Sequence, residues 1–116
     1  MANTSALRIN EIESNPEGED SGFEWVELYS EESVSLDGYT LWNGDNESII
    51  LNESFQGFLV LTFQTLWLDN TNETVFIKQG DAIIDTGGPF SDNKKNKTYS
   101  FCNGVWGFAL STQNAA

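Results

Sequence analysis

Apolar and polar residues alternate with a period of two through several short stretches of this chain, and no stretch sustains a period of 3.6 residues. The alternation is clearest in Gly22-Phe23-Glu24-Trp25-Val26-Glu27-Leu28-Tyr29, which also carries three aromatic rings. Successive side chains of an extended backbone point to opposite faces. Val26 and Leu28 therefore share one face, and Trp25, Glu27 and Tyr29 share the other. The first pair reads as the inner face of a sheet. The second set reads as a half-covered outer face, with Glu27 hydrogen-bonded between the rings.

The same reading gives the other elements. Residues 7–13 alternate, with Leu7, Ile9 and Ile12 nearly on one face and a slip near Asn10 that predicts a strand with a bulge. Ser14 to Gly22 is a loop, marked by Asn15-Pro16, two glycines and three carboxylates. After the strand of residues 23–30, Glu31 to Ser35 reads as a polar connection and Leu36-Asp37-Gly38 as a turn. Tyr39 to Trp42 is a strand closed by Asn43-Gly44, a strong turn signal. Glu47 to Leu51 is a short strand and Asn52 to Gly57 a loop. Phe58 to Phe63 is the most continuous apolar run, which predicts a central strand buried on both faces. Thr65 to Leu68 reads as a bend or short edge strand, and Asp69 to Glu73 as a polar loop. Thr74 to Lys78 and Ala82 to Asp85 flank Gln79-Gly80-Asp81 as a tight hairpin. Thr86 to Lys97 is a long loop, and Tyr99 to Cys102 with Val105 to Leu110 form a last hairpin across Asn103-Gly104. Short strands with turns at this spacing predict an all-β sandwich or barrel.

A chain of 116 residues is expected to form one domain, placed at residues 7–110 with flexible ends at 1–6 and 111–116. Eighteen acidic residues against 5 basic ones give a net charge of −13. That field repels phosphate backbones and anionic lipid surfaces, so nucleic-acid binding and anionic membrane surfaces are disfavoured and positive partners or divalent cations are favoured. The plainest role of the acidity is solubility. A single cysteine, Cys102, rules out an internal disulfide, and it reads as a small buried hydrophobe. The absence of histidine removes the commonest general base and the usual zinc ligand. No apolar run reaches the roughly 20 residues of a membrane-spanning helix, and Met1-Ala2-Asn3-Thr4-Ser5 lacks the charged and apolar regions of a signal peptide. Asn3, Asn46, Asn52, Asn72 and Asn96 each stand two residues before Ser or Thr, the acceptor pattern for N-glycosylation. So many sequons in a chain this small suggest a glycosylated exterior, although Asn- and Thr-rich loops also generate them by chance.

The order of these pieces resembles the lamin tail domain family in its prokaryotic form. The resemblance rests on Ile9-Asn10-Glu11-Ile12, Asn15-Pro16-Glu17-Gly18-Glu19-Asp20, Glu24-Trp25-Val26-Glu27-Leu28-Tyr29 and Leu36-Asp37-Gly38-Tyr39-Thr40-Leu41. It continues through Gly57-Phe58-Leu59-Val60-Leu61, Glu73-Thr74-Val75-Phe76-Ile77 and Ala82-Ile83-Ile84-Asp85. The C-terminal Leu110 to Asn114 lacks the proline and glycine on which members often close. The resemblance implies an immunoglobulin-like β-sandwich. It also implies an accessory module of a larger surface or secreted protein, placed outside the cell or on its surface. The long heptad rod of the lamins is absent.

Candidate chemistry is sparse. Glu17, Glu19 and Asp20 surround Gly18 in the acidic loop, and such a loop either stays solvated or turns its oxygens on calcium, the one cofactor to consider. Asp45 and Glu47 could join it only if the fold brings them near. Glu24 and Glu27 fall on opposite faces of one strand and form no dyad. No set of nucleophile, base and orienting group is visible, so the chain is expected not to be an enzyme. Trp42 and Trp67, near loop ends, are candidate interaction residues: exposed indoles stack sugars and anchor protein partners. Buried in sheet faces, they would be ordinary core. Lys94, Lys95 and Lys97 read as a solvated loop that could dock an acidic patch on another copy. The expected function is a non-catalytic extracellular interaction module whose partner is a protein or cell-envelope component, with self-association as a further mode. The alternative is a ligand-binding module for calcium or carbohydrate.

Overall fold

The computed structural model of the chain describes residues 7–14, 24–63, 67–68, 72–91, 98–102 and 104–109. Among these residues nine strands follow in order: β1 (Leu7–Glu13), β2 (Trp25–Ser35), β3 (Tyr39–Trp42), β4 (Ser48–Leu51), β5 (Ser54–Thr62), β6 (Glu73–Gln79), β7 (Ala82–Phe90), β8 (Thr98–Cys102) and β9 (Val105–Ala109). They form a five-stranded sheet in the order β5-β2-β1-β8-β9 and a four-stranded sheet in the order β4-β3-β6-β7. Every pairing is antiparallel. Among the described residues there is no helix, and so none long and apolar enough to cross a membrane.

Alternation explains how the sheets meet. Ile9 and Ile12 of β1 and Val26 and Leu28 of β2 have no exposed surface, and neither do Leu41 of β3 or Val75 and Ile77 of β6. These residues from both sheets belong to one core, to which Leu51, Phe63 and Phe90 add. Burial of such side chains removes apolar area from water at about 25 cal/mol per Å², which makes this layer the main source of cohesion. A carboxylate adds a polar tie between the sheets: Asp85 Oδ2 on β7 accepts the Ile9 backbone N–H of β1 at 2.7 Å.

The slip at Asn10 is a bulge. The β1–β2 register passes from Ile9↔Leu28 to Glu11↔Glu27, leaving Asn10 unpaired, and its side-chain amide donates to Glu27 Oε1 at 3.0 Å. Glu27 is thus buried and hydrogen-bonded between half-buried Trp25 and Tyr29. The Leu36-Asp37-Gly38 turn closes through the Tyr39 N–H to the Leu36 carbonyl at 2.9 Å. β3 spans the residues expected of it, and both C-terminal hairpins form.

Four expectations are corrected. Phe58 to Phe63 is not a central strand. Among the described residues β5 lies at the edge of its sheet, bonded to β2 alone, and its residues 58–61 are half-buried. Its outer-face apolar groups pack sideways instead, as Phe58 does on Tyr29 at 4.9 Å. Glu31 to Ser35 is not a connection but the bulged end of β2, because Val34 pairs with Phe55 after a register shift. For the same reason the loop expected at 52–57 is strand from Ser54 onward. Finally, β7 continues through Gly87-Gly88-Pro89 to Phe90, inside the expected long loop. Glycine is required at Gly88, whose φ is +115° and whose added Cβ would stand 2.7 Å from the Glu73 carbonyl oxygen; a Cβ on Gly87 would press on Ile12 Cδ1 at 3.0 Å.

Candidate functional site

The outward face of the four-stranded sheet is assembled by register. Leu41, Val75 and Ile77 point into the core, so their neighbours in sequence point out. Cross-strand pairing then aligns Ile50, Thr40, Lys78 and Ile83 in one row and Ser48, Trp42, Phe76 and Thr86 in the next. Neither row contains a carboxylate, in a protein with a net charge of −13. Ile50 is 81% exposed and Ile83 59% exposed.

Trp42 lies on this face and is held by two contacts. Its indole N–H donates to Thr40 Oγ1 at 2.8 Å, and its ring lies parallel to Phe76, with centroids 6.4 Å apart. The Lys78 ammonium sits 4.3 Å from the Trp42 centroid and 5.5 Å from that of Phe76. A cation over an aromatic face is attracted to the ring quadrupole. Lys78 uses these rings and, among the described residues, no carboxylate. The arrangement offers apolar side chains, neighbouring hydroxyls and one positive charge on one face. Aggregation is a hazard for such a face on a short edge strand, so its exposure asks for a reason.

Trp67 is placed differently. It is half-buried against the core and stacks on Phe63 at 4.6 Å. Its backbone is tied down: Glu24 Oε1 accepts the N–H groups of Trp67 at 2.9 Å and Leu68 at 3.1 Å, and the Asn43 side-chain amide donates to the Trp67 carbonyl at 2.6 Å. Asn43 Oδ1 in turn accepts from the Asp45 and Glu47 N–H groups, and Glu73 Oε1 accepts from Gly44 and Thr74. This network of side chains fixes one end of the molecule, and Asp45 and Glu47 are exposed parts of it.

Glu17, Glu19 and Asp20 lie outside the described residues, as do Lys94, Lys95, Lys97, Asn3, Asn96 and the side chain of Cys102. Among the described residues no three metal-ligating side chains gather. Of the other sequon asparagines, Asn46, Asn52 and Asn72 are exposed. Glu24 and Glu27 have separate partners. The pairing of Glu11 directly opposite Glu27 was not foreseen. Both are buried, and Glu11 Oε2 accepts from Thr98 Oγ1. Phe76, Lys78, Ile50 and Ile83 were also missed as site residues. Period-two alternation could have put Phe76 and Lys78 on one face, but only the register brings that face beside Trp42.

Compared with known proteins, the chain matches no family model, no curated protein and no solved structure.

Proposed function

We propose that this domain is a non-catalytic interaction module with an immunoglobulin-like sandwich, acting outside the cell or on its surface as an accessory part of a larger surface or secreted protein. The single observation that carries the reading is the carboxylate-free outer face with exposed Ile50 and Ile83 around Trp42, Phe76 and Lys78. The occupant is a surface protein that presents an apolar patch and an acidic group for Lys78. A second copy fits less well, since it would bring −13 against −13 and Lys78 against Lys78. The lamin-tail resemblance, the two antiparallel sheets and the exposed Asn46, Asn52 and Asn72 support the same reading.

The test is retention of solubilised surface proteins on the immobilised domain, compared with an Ile50→Asp/Ile83→Asp variant of unchanged melting temperature. A protein retained by the native face and lost by the variant is the expected result, with weakening by Lys78→Glu and by salt. Equal retention by both proteins would sink the proposal. A dimer in sedimentation velocity that the variant abolishes would replace the partner with a second copy.

A further inference from the structure

A second site lies where the five-stranded sheet opens. The β1–β8 ladder pairs only Glu11 with Ser100 and Ile12 with Tyr99. Beyond the Asn10 bulge lies a pocket of about 60 Å³ lined by Arg8 and Ile9 of β1, Asp85 of β7, Phe101 of β8 and Trp106 of β9. The Arg8 guanidinium stands 4.5 Å from the Tyr29 centroid and 5.7 Å from that of Phe101. Its Nε is buried and has no hydrogen-bond acceptor. A buried N–H without an acceptor is costly, and each such group in a native fold calls for an explanation. Asp85 spends Oδ2 on the Ile9 N–H, and its Oδ1 has no partner among the described residues. Although Arg8 and Asp85 line one pocket, no ion pair joins them among the described residues.

Nε itself has no accessible surface, so the wall offers the terminal Nη donors of Arg8, which have no acceptor among the described residues, an acceptor without donors at Asp85, and apolar ring surface at Phe101 and Trp106. A free anion entering would meet the Asp85 carboxylate, and a free cation would meet the Arg8 guanidinium. Neighbouring hydroxyls on a carbon frame satisfy both, because each hydroxyl donates once and accepts twice. The C–H face of the same frame suits an aromatic wall. We propose that this pocket binds the terminal unit of a neutral glycan, with its hydroxyls bridging Arg8 and Asp85 and one ring edge against Trp106. The pocket admits an edge of one sugar, so the rest of the glycan stays outside. The site is separate from the outer face of the four-stranded sheet, and its failure leaves the partner-docking proposal standing.

The experiment is a ¹H–¹⁵N NMR titration of the whole chain with glucose, galactose, mannose and N-acetylglucosamine, with sodium acetate as the anion control. The Arg8 Nε–H and Trp106 Nε1–H resonances are the reporters. At least one sugar is expected to shift both, saturably. Asp85→Asn keeps a carbonyl acceptor for the Ile9 N–H and turns the free acceptor into a donor. Arg8→Lys keeps the charge and loses the planar fork. Each variant is expected to weaken the sugar by about tenfold or more, the scale set by leaving a buried polar group unmatched, with the other resonances in place. If Arg8→Lys does not fold, Asp85→Asn decides alone. Silence of both reporters across the panel overturns the proposal, and so does an unchanged affinity in Asp85→Asn. Acetate binding that outcompetes every sugar overturns it too, by making the pocket an anion site.

Discussion

Side-chain carboxylates do unusual structural duty in this protein. Glu24 Oε1 alone satisfies two backbone N–H groups, at Trp67 and Leu68, and Glu73 Oε1 serves two more. A hydrogen bond contributes about 0.5–1.5 kcal/mol net, and each buried donor left unmatched costs about 1–3 kcal/mol. Glu24→Ala is expected to lower stability by about 3 kcal/mol, which moves the melting midpoint of a domain this size by roughly 10–15 °C. Glu24→Gln keeps one acceptor oxygen and is expected to lose less, as urea denaturation of both variants would measure. A loss in Glu24→Ala no larger than that of a surface substitution would mean that the Trp67 segment is held by other contacts. That Glu24 and Glu27 lie on opposite faces was legible from alternation. Their partners were not, since Asn10 lies 17 residues from Glu27 and Trp67 lies 43 from Glu24.

At the scale of the element, β7 marks where pattern reading stops. Gly87-Gly88-Pro89 carries the residue types that mark loops, yet the strand runs through it, and at Gly88 only glycine lets β7 approach the Glu73 carbonyl so closely. Gly88→Ala combines a left-handed φ with a backbone clash and is expected to cost at least about 2 kcal/mol. Gly107 on β9 is the control: a Cβ there meets nothing within 4 Å and its φ is ordinary. Gly107→Ala is expected to be neutral or to stabilise by about 0.4–1 kcal/mol, through the unfolded chain. Thermal melts of the pair would separate close packing from general strand preference. Equal effects at both positions would remove the packing explanation. The hairpins β3–β4, β6–β7 and β8–β9 were readable because turn residues and flanking alternation are local signals. That β5 lies at an edge was not, since an apolar run looks the same whether neighbours flank one side or both.

For the whole molecule, charge is the dominant global property. Net −13 from 18 acidic and 5 basic residues opposes compaction, and salt screens that repulsion over a Debye length of about 10 Å at 0.1 M. Melting temperature is expected to rise with sodium chloride. Millimolar calcium at matched ionic strength is expected to add nothing beyond screening. A ligand at about 100 times its dissociation constant would stabilise by about 2.7 kcal/mol, so a calcium-specific rise of around 10 °C would instead establish a metal site, with Glu17, Glu19 and Asp20 the first residues to substitute. Both described cations, Arg8 and Lys78, rest on aromatic rings. That choice keeps positive charge available at the two places argued to bind something.

The sequence by itself determined the strand class, most of the hairpins, the Asn10 bulge and the two faces of β2, because each follows from the two-residue period or from turn chemistry within a few positions. Tertiary structure decided what those faces meet. It put β5 at an edge, ran β7 through its glycines, set Trp42 in an open carboxylate-free face and Trp67 against the core, and brought Arg8 and Asp85, 77 positions apart, to one pocket. These outcomes depend on strand order and register between distant segments, and alternation along a single strand carries no information about its neighbours.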